Sequence, residues 1–179
     1  MIIPGFIISI LTFPGVIVHE LAHQLVCWLL RIPVFEVCYF RLRVRGSIGF
    51  VRHGIPPTGW GSLFVGLGPL LINSIVGIVI AFPAAIDWML GVLHGWDIVI
   101  AWLGVSIAMH SFPSTGDAAS IWRAVNGPRN SFLEKMVAVP LVALIWIGAI
   151  GSIFWLDAIY GFLIALILPG MIVHALAAL

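Results

Sequence analysis

Five stretches of this chain run nearly free of charge for about 20 residues, the length a helix needs to cross hydrocarbon: Ile3–Leu30, Gly61–Ile86, Trp96–Phe112, Met136–Leu156 and Ile159–Ala178. A soluble domain carries about 25% charged residues, whereas this chain has 8% against 62% hydrophobic. That balance excludes an ordinary water-facing core. The expected fold is an all-α polytopic membrane protein of about five transmembrane helices, forming one domain over residues 1–179. Pro4 and Pro14 should bend or restart the first span. The third is short enough to be half-buried, and Asp157 should mark a tight turn between the last two.

The start, MIIPGFIISILTFPG, has no basic n-region, and its apolar run continues to Leu30. It reads as a retained first span rather than a cleaved signal. Cys27 and Cys38 offer no disulfide framework and read as buried thiols, with Cys27 on the same helical stripe as His19 and His23.

All eight Lys and Arg fall in two connections: Arg31, Arg41, Arg43, Arg45 and Arg52 in the first, Arg123, Arg129 and Lys135 in the second. The positive-inside rule makes both cytoplasmic. The opposite connections carry Asp87, Asp97 and Asp157 and no basic residue, so the N-terminus is expected outside and the C-terminus in the cytoplasm. Within the first connection, EVCYFRLRVR and GSIGFVRHG alternate as two strands about the Arg45-Gly46 break, which predicts a β-hairpin at the membrane surface. Its basic face suits anionic headgroups. Alternatively, the segment from Val37 to Val51 offers a strand edge to an extended peptide. No nucleic-acid partner is expected.

The stretch VIVHELAHQLV, Val16 to Val26, sets three ionisable groups in an apolar helix. Each costs about 2.5–3.5 kcal/mol in hydrocarbon unless something pairs with it. His19 and His23, four apart, share a helical face and can direct imidazole nitrogens at one ion, with Glu20 beside them. Zinc suits two neutral imidazoles and in hydrolytic sites keeps a position open for water, from which Glu20 can take a proton. The competing reading is a cluster whose members satisfy one another.

Two histidines leave a tetrahedral site incomplete. His53 lies in the basic connection, His94 on the opposite side, and His174 alone in the last span. The stretch MHSFPSTGDAAS, Met109 to Ser120, brings His110 and Asp117 to a helix break at the cytoplasmic end of the third span. His19 and His23 lie about 12–18 Å along the helix from Arg31, so Asp117 can meet them below the cytoplasmic surface. As an alternative, Asp117 caps the helix that follows.

His-Glu-Leu-Ala-His at residues 19–23, with an aspartate-bearing loop after a third span, resembles the site-2 protease family of intramembrane zinc metalloproteases. GLGPLLINSIVG, Gly66 to Gly77, is similar to the family's Gly-Pro-x-x-x-Asn signature, and GSIGFV to the glycine-rich strand before it. The likeness covers the chain through about Ser120, so a catalytic core of about residues 1–120 would be followed by additional helices over about 131–179. It implies one zinc ion per chain, with His19, His23 and Asp117 as ligands and Glu20 as catalytic base. Asn73 would sit near the site and bind the substrate backbone, or else hydrogen-bond between helices. Gly68 and Pro69 would shape their helix. The loop departs from the family's usual Asn-x-x-Pro-x-x-Pro-x-Asp-Gly: it is one residue shorter between its first polar residue and the aspartate, and Ala118 replaces a glycine. His110 stands where asparagine is common. It would donate to a developing oxyanion or substrate carbonyl, or serve as a supporting or packing residue.

The expected activity is hydrolysis of a peptide bond in or next to a transmembrane helix of a membrane-protein substrate, with control left to a partner membrane protein or to access between spans. A zinc-binding transporter or sensor is the alternative. A lipid-modifying di-iron enzyme needs more histidines or carboxylates than this chain can cluster.

Overall fold

A computed structural model describes residues 5–42, 48–127 and 131–177. The first apolar stretch is divided into α1 (Gly5–Leu11) and α2 (Phe13–Leu29), set 88° apart. Pro14 lies in the first turn of α2, where its missing N–H costs nothing, and the Thr12 hydroxyl closes the end of α1 on Ile8 O at 2.7 Å. The proline expected to bend the span thus restarts it at nearly a right angle.

Two strands follow, β1 (Val34–Cys38) and β2 (Phe50–His53), paired antiparallel with Val37 opposite Val51. The hairpin lies along α2. Ile32 N–H donates to Cys27 O, the Tyr39 hydroxyl donates to Gln24, Gly49 abuts Glu20, and the Phe40 ring lies 5.8 Å from that of Phe13 at the start of the helix. It is therefore packed against the helix that bears the His-Glu cluster. Arg43 and Arg45 lie outside the described residues.

Helix α3 (Gly59–Leu90) is the longest element, 32 residues between the Thr58 N-cap, which accepts from Gly61 N–H, and left-handed Gly91. At about 1.5 Å per residue it spans about 48 Å, and α2 and most of the helices that follow pack along it. Helix α4 (Gly95–Met109) runs back against it on small residues. A Cβ on Gly77 would come 2.8 Å from Ala108 Cβ, and one on Gly104 would meet Ala81. Such contacts let helix backbones approach closely. Helix α5 (Thr115–Val125) inserts Ala118, Ile121 and Val125 between Leu63 of α3 and Ala138, Val142 and Ile145 of α6 (Phe132–Gly151).

The C-terminal third differs from an antiparallel pair. Helix α6 starts beside the start of α3, where Trp60 N–H donates to Glu134 Oε1 at 3.3 Å, and ends with Gly148 on Phe112. A tight turn at Ser152–Phe154 and left-handed Trp155 (φ 64°) lead into α7 (Leu156–Phe162), which continues through a wide turn into α8 (Leu168–Ala177). Tyr160 meets Ser74, Ala165 packs in the cluster of Ala81 and Ala108, and Gly170 lies on Met89. These pairings ascend together, so α7 and α8 run with α3 and end beside Leu90. An antiparallel return would have brought them back toward Gly59. Asp157 falls in the first turn of α7, after the break rather than at a hairpin tip.

Among the described residues three helices are long and apolar enough to cross a membrane, α3, α6 and the Leu156–Leu176 stretch, or four if bent α1–α2 is one span. Helix α4, at 15 residues, is too short, so the count is below the five expected. Leu71, Ile75, Val79, Leu144 and Ile147 face outward while Glu20, His23, Asn73 and Asp97 are buried. Polar groups inside and apolar ones outside are the distribution of a protein solvated by lipid.

Candidate metal centre

His19 and His23 lie one turn apart on α2, and their Nε2 atoms are 3.2 Å apart. Asp117, brought from α5, places Oδ1 3.4 Å from His23 Nε2. All three donor atoms fall within 4.8 Å of one another. The other ring nitrogens are already committed. His19 Nδ1 lies 2.7 Å from His110 O, and His23 Nδ1 2.9 Å from Val65 O. A carbonyl only accepts, so each Nδ1 carries the proton and each neutral Nε2 is left with a bare lone pair. With both rings neutral, three acceptors converge, an arrangement that a shared proton or a cation at its centre relieves. The spacing suits a metal: a tetrahedral zinc with ligands at about 2.0–2.1 Å separates its donors by about 3.3 Å.

The two carbonyls are available for local reasons. In α3, Val65 O would ordinarily accept from the N–H four residues on, but that residue is Pro69, which has none. The proline thus frees the carbonyl that orients His23. His110 is the C-cap of α4, where terminal carbonyls lack helical partners. Asn73 is fully buried and donates through Nδ2 to the carbonyls of His110 (3.1 Å), Ile107 (3.3 Å) and Gly15 (3.4 Å). It ties the end of α4 to α2 from behind His19 and lines neither cavity of the site. This is the interhelical role set against substrate binding in the sequence reading. Gly15 permits the approach, since a Cβ there would run into Ser106 O.

Asp117 divides its two oxygens. Oδ2 accepts from Ser114 N–H (2.7 Å) and the Ser114 hydroxyl (2.6 Å), while Ser114 Oγ accepts from Asp117 N–H (3.2 Å), a reciprocal capping box. Ser114 is the N-cap, with Asp117 three residues on, so capping and facing the histidines are simultaneous roles rather than alternatives. The Ser-x-x-Asp spacing was available in the sequence. Gly66 of α3 admits this end of α5: a Cβ there would lie 2.6 Å from Ile121 Cδ1 and 3.8 Å from Asp117 Cβ.

Glu20 is buried, beside the histidines and against Gly49. With the triad it borders a cleft of about 850 Å³ whose other walls are β2, the start of α3 and α5, with Arg52, His53 and Arg123 toward its rim. The side of β2 away from β1 carries no further strand among the described residues. Ser62, buried in this wall, has a hydroxyl with no hydrogen-bond partner within the described protein; nothing in the linear pattern marked it.

No family model, curated protein or solved structure matches the chain. The reading therefore rests on the geometry itself. Of the six residues singled out in the sequence, His19, His23, Asp117 and Glu20 meet at one point. Asn73 supports them from behind. His110 supplies its carbonyl to His19, while its ring Nδ1 is 2.9 Å from Ser106 O and takes the proton there. In the neutral ring Nε2 is then an acceptor, so donation to an oxyanion would require the imidazolium. The contributions of Val65, Pro69 and Gly49 are invisible to a motif reading because they act through backbone or through the lack of a side chain.

Proposed function

We propose that the chain is an intramembrane zinc metallopeptidase similar to the site-2 proteases, cutting a peptide bond in or beside a transmembrane helix of its substrate. The observation that carries this reading is the meeting of two imidazole Nε2 atoms, whose Nδ1 partners are backbone carbonyls, and a carboxylate oxygen next to a second carboxylate, on the wall of a cleft. His19, His23 and Asp117 would hold the ion, whose Lewis acidity activates water and polarises a carbonyl. Glu20 accepts the proton as the water oxygen bonds to the peptide carbon, then delivers it to the nitrogen as the C–N bond breaks, yielding a carboxylate and an amine. A helical carbonyl is shielded by its own hydrogen bond, so the substrate must unwind locally, and the free edge of β2 offers backbone pairing to the extended segment.

The start of α3, with Arg52 of β2 and Arg123 of α5 on the walls of the same cleft, is taken as cytoplasmic by the positive-inside rule, which puts the cleft toward that side and the end of α8, beside Leu90, on the other, in place of the cytoplasmic C-terminus expected from the sequence. A transporter or sensor using the same ligands is separated from a peptidase by zinc flux in vesicles. The deciding experiment is bound zinc and cleavage together. Wild type should hold about one zinc per chain, Asp117→Ala markedly less, and Glu20→Gln should keep the metal and lose cleavage. Equal zinc in Asp117→Ala removes that residue from the ligand set, and undiminished cleavage by Glu20→Gln removes the proposed base.

A further inference from the structure

The triad does not sit at the bottom of a closed cleft. A second cavity, of about 440 Å³, opens on the other side of Glu20, bounded by α1, α2, α4 and the break between α6 and α7. His19, Glu20, Gly49 and Ser114 border both spaces. The far wall of the second cavity is built from irregular backbone. There α6 tightens into the Ser152–Phe154 turn, Trp155 turns left-handed, and Asp157 opens α7. Tyr160, less than one turn further, bonds Ser74 at the midpoint of α3, so the break lies beside the middle of the longest helix.

Ile153, Phe154, Trp155 and Leu156 of the break face outward, while its two polar residues, Ser152 and Asp157, line the cavity. A carboxylate there needs a cation or water. Asp157 Oδ1 accepts from Ala158 N–H at 2.9 Å, and the titratable group that faces it across the cavity is the His110 ring, within electrostatic reach but too far for a direct ion pair. Ser9 and His110 add polar groups to the same walls. At about 30 Å³ per molecule the space has room for about a dozen waters.

We propose that this second cavity is a hydrated vestibule that brings the hydrolytic water to Glu20 from the side opposite the substrate cleft. Each bond cut consumes one water, and a chain laid along β2 fills the larger cleft. Water drawn through the vestibule need not pass the substrate. The consumption of water rests on the peptidase reading; the hydration of the vestibule does not.

The test uses full-length protein in membranes with Cys27 and Cys38 replaced by alanine. Single thiols are introduced by Ser152→Cys and Ser9→Cys on the vestibule wall and by Ile147→Cys on the outward face of α6. Each is treated with a charged methanethiosulfonate and with a lipophilic maleimide. A wet vestibule gives charged-reagent rates at residues 152 and 9 at least 100-fold above that at 147, while the maleimide labels residue 147. If either vestibule thiol in a variant that retains zinc reacts only with the lipophilic reagent, the vestibule is dry and the proposal fails. Where cleavage is measurable, the bulky adduct at residue 152 should lower kcat at least tenfold with KM and zinc content unchanged; an undiminished kcat overturns the supply role. An enzyme that binds zinc but cleaves nothing would sink the peptidase reading and leave the thiol rates to decide hydration alone.

Discussion

At the scale of single residues, the site divides the work of a side chain among its atoms. Asp117 shows it best, because one oxygen closes the start of α5 on Ser114 while the other faces His23. Removing the Ser114 hydroxyl should therefore act on both. Ser114→Ala is expected to cost about 1 kcal/mol of helix stability, as lost N-caps do. It should also weaken zinc binding about 10–100-fold, the usual effect of removing a group that orients a ligand. Competition with a chromophoric chelator measures the second effect, and unchanged affinity would mean that Asp117 is held without the box. The histidines and Glu20 were legible because four-residue spacing in a helix is itself geometry. Asn73 was legible as a polar residue out of place in an apolar helix, but its task was not, since its partners are carbonyls of Gly15, Ile107 and His110 that any sequence could supply.

At the scale of elements, α3 lacks helical hydrogen bonds at two interior prolines, Pro69 and Pro83, and the gap at Pro69 serves the site. Pro69→Ala restores an N–H that competes with His23 for Val65 O. The expected outcome is a helix at least as stable, since proline costs about 3 kcal/mol in a helix interior, with zinc affinity reduced about tenfold. A gain in stability with no loss of affinity would show that His23 does not depend on the freed carbonyl. Gly15→Val tests the α2–α4 contact in the same spirit. The added side chain collides with Ser106 O, and destabilisation of about 1–3 kcal/mol is expected, as for overpacked interiors, read from the thermal midpoint. Hydropathy found the apolar stretches because burial in lipid is a property of composition. It did not give the 88° angle of the break that Pro14 signalled, or the packing of the hairpin on α2, which comes from tertiary contacts such as Phe13 with Phe40 and Tyr39 with Gln24.

At the scale of the whole molecule, a hydropathy pattern carries no sense of direction. The sequence therefore gave no warning that α6, α7 and α8 all ascend beside α3, a fact written only in pairs such as Trp60 with Glu134 and Met89 with Gly170. A thiol at Asn126 and a tag placed after Leu179 should accordingly be reached from opposite faces of the membrane. Labelling of both from one face in sealed vesicles would contradict the parallel course.

The ligand set has a mechanical side as well. Its three side chains come from α2 and α5, and the carbonyls that hold the imidazoles belong to α3 and α4, so a bound ion would rivet four helices at one point. Ligand binding at 1,000 times its dissociation constant adds about 4 kcal/mol to the native state. Stripping the metal should thus lower the melting temperature and loosen helices far from the cleft. If the proposed site holds zinc, the abundance of the protein would follow the zinc supply of its cell, with starvation letting the fold come apart.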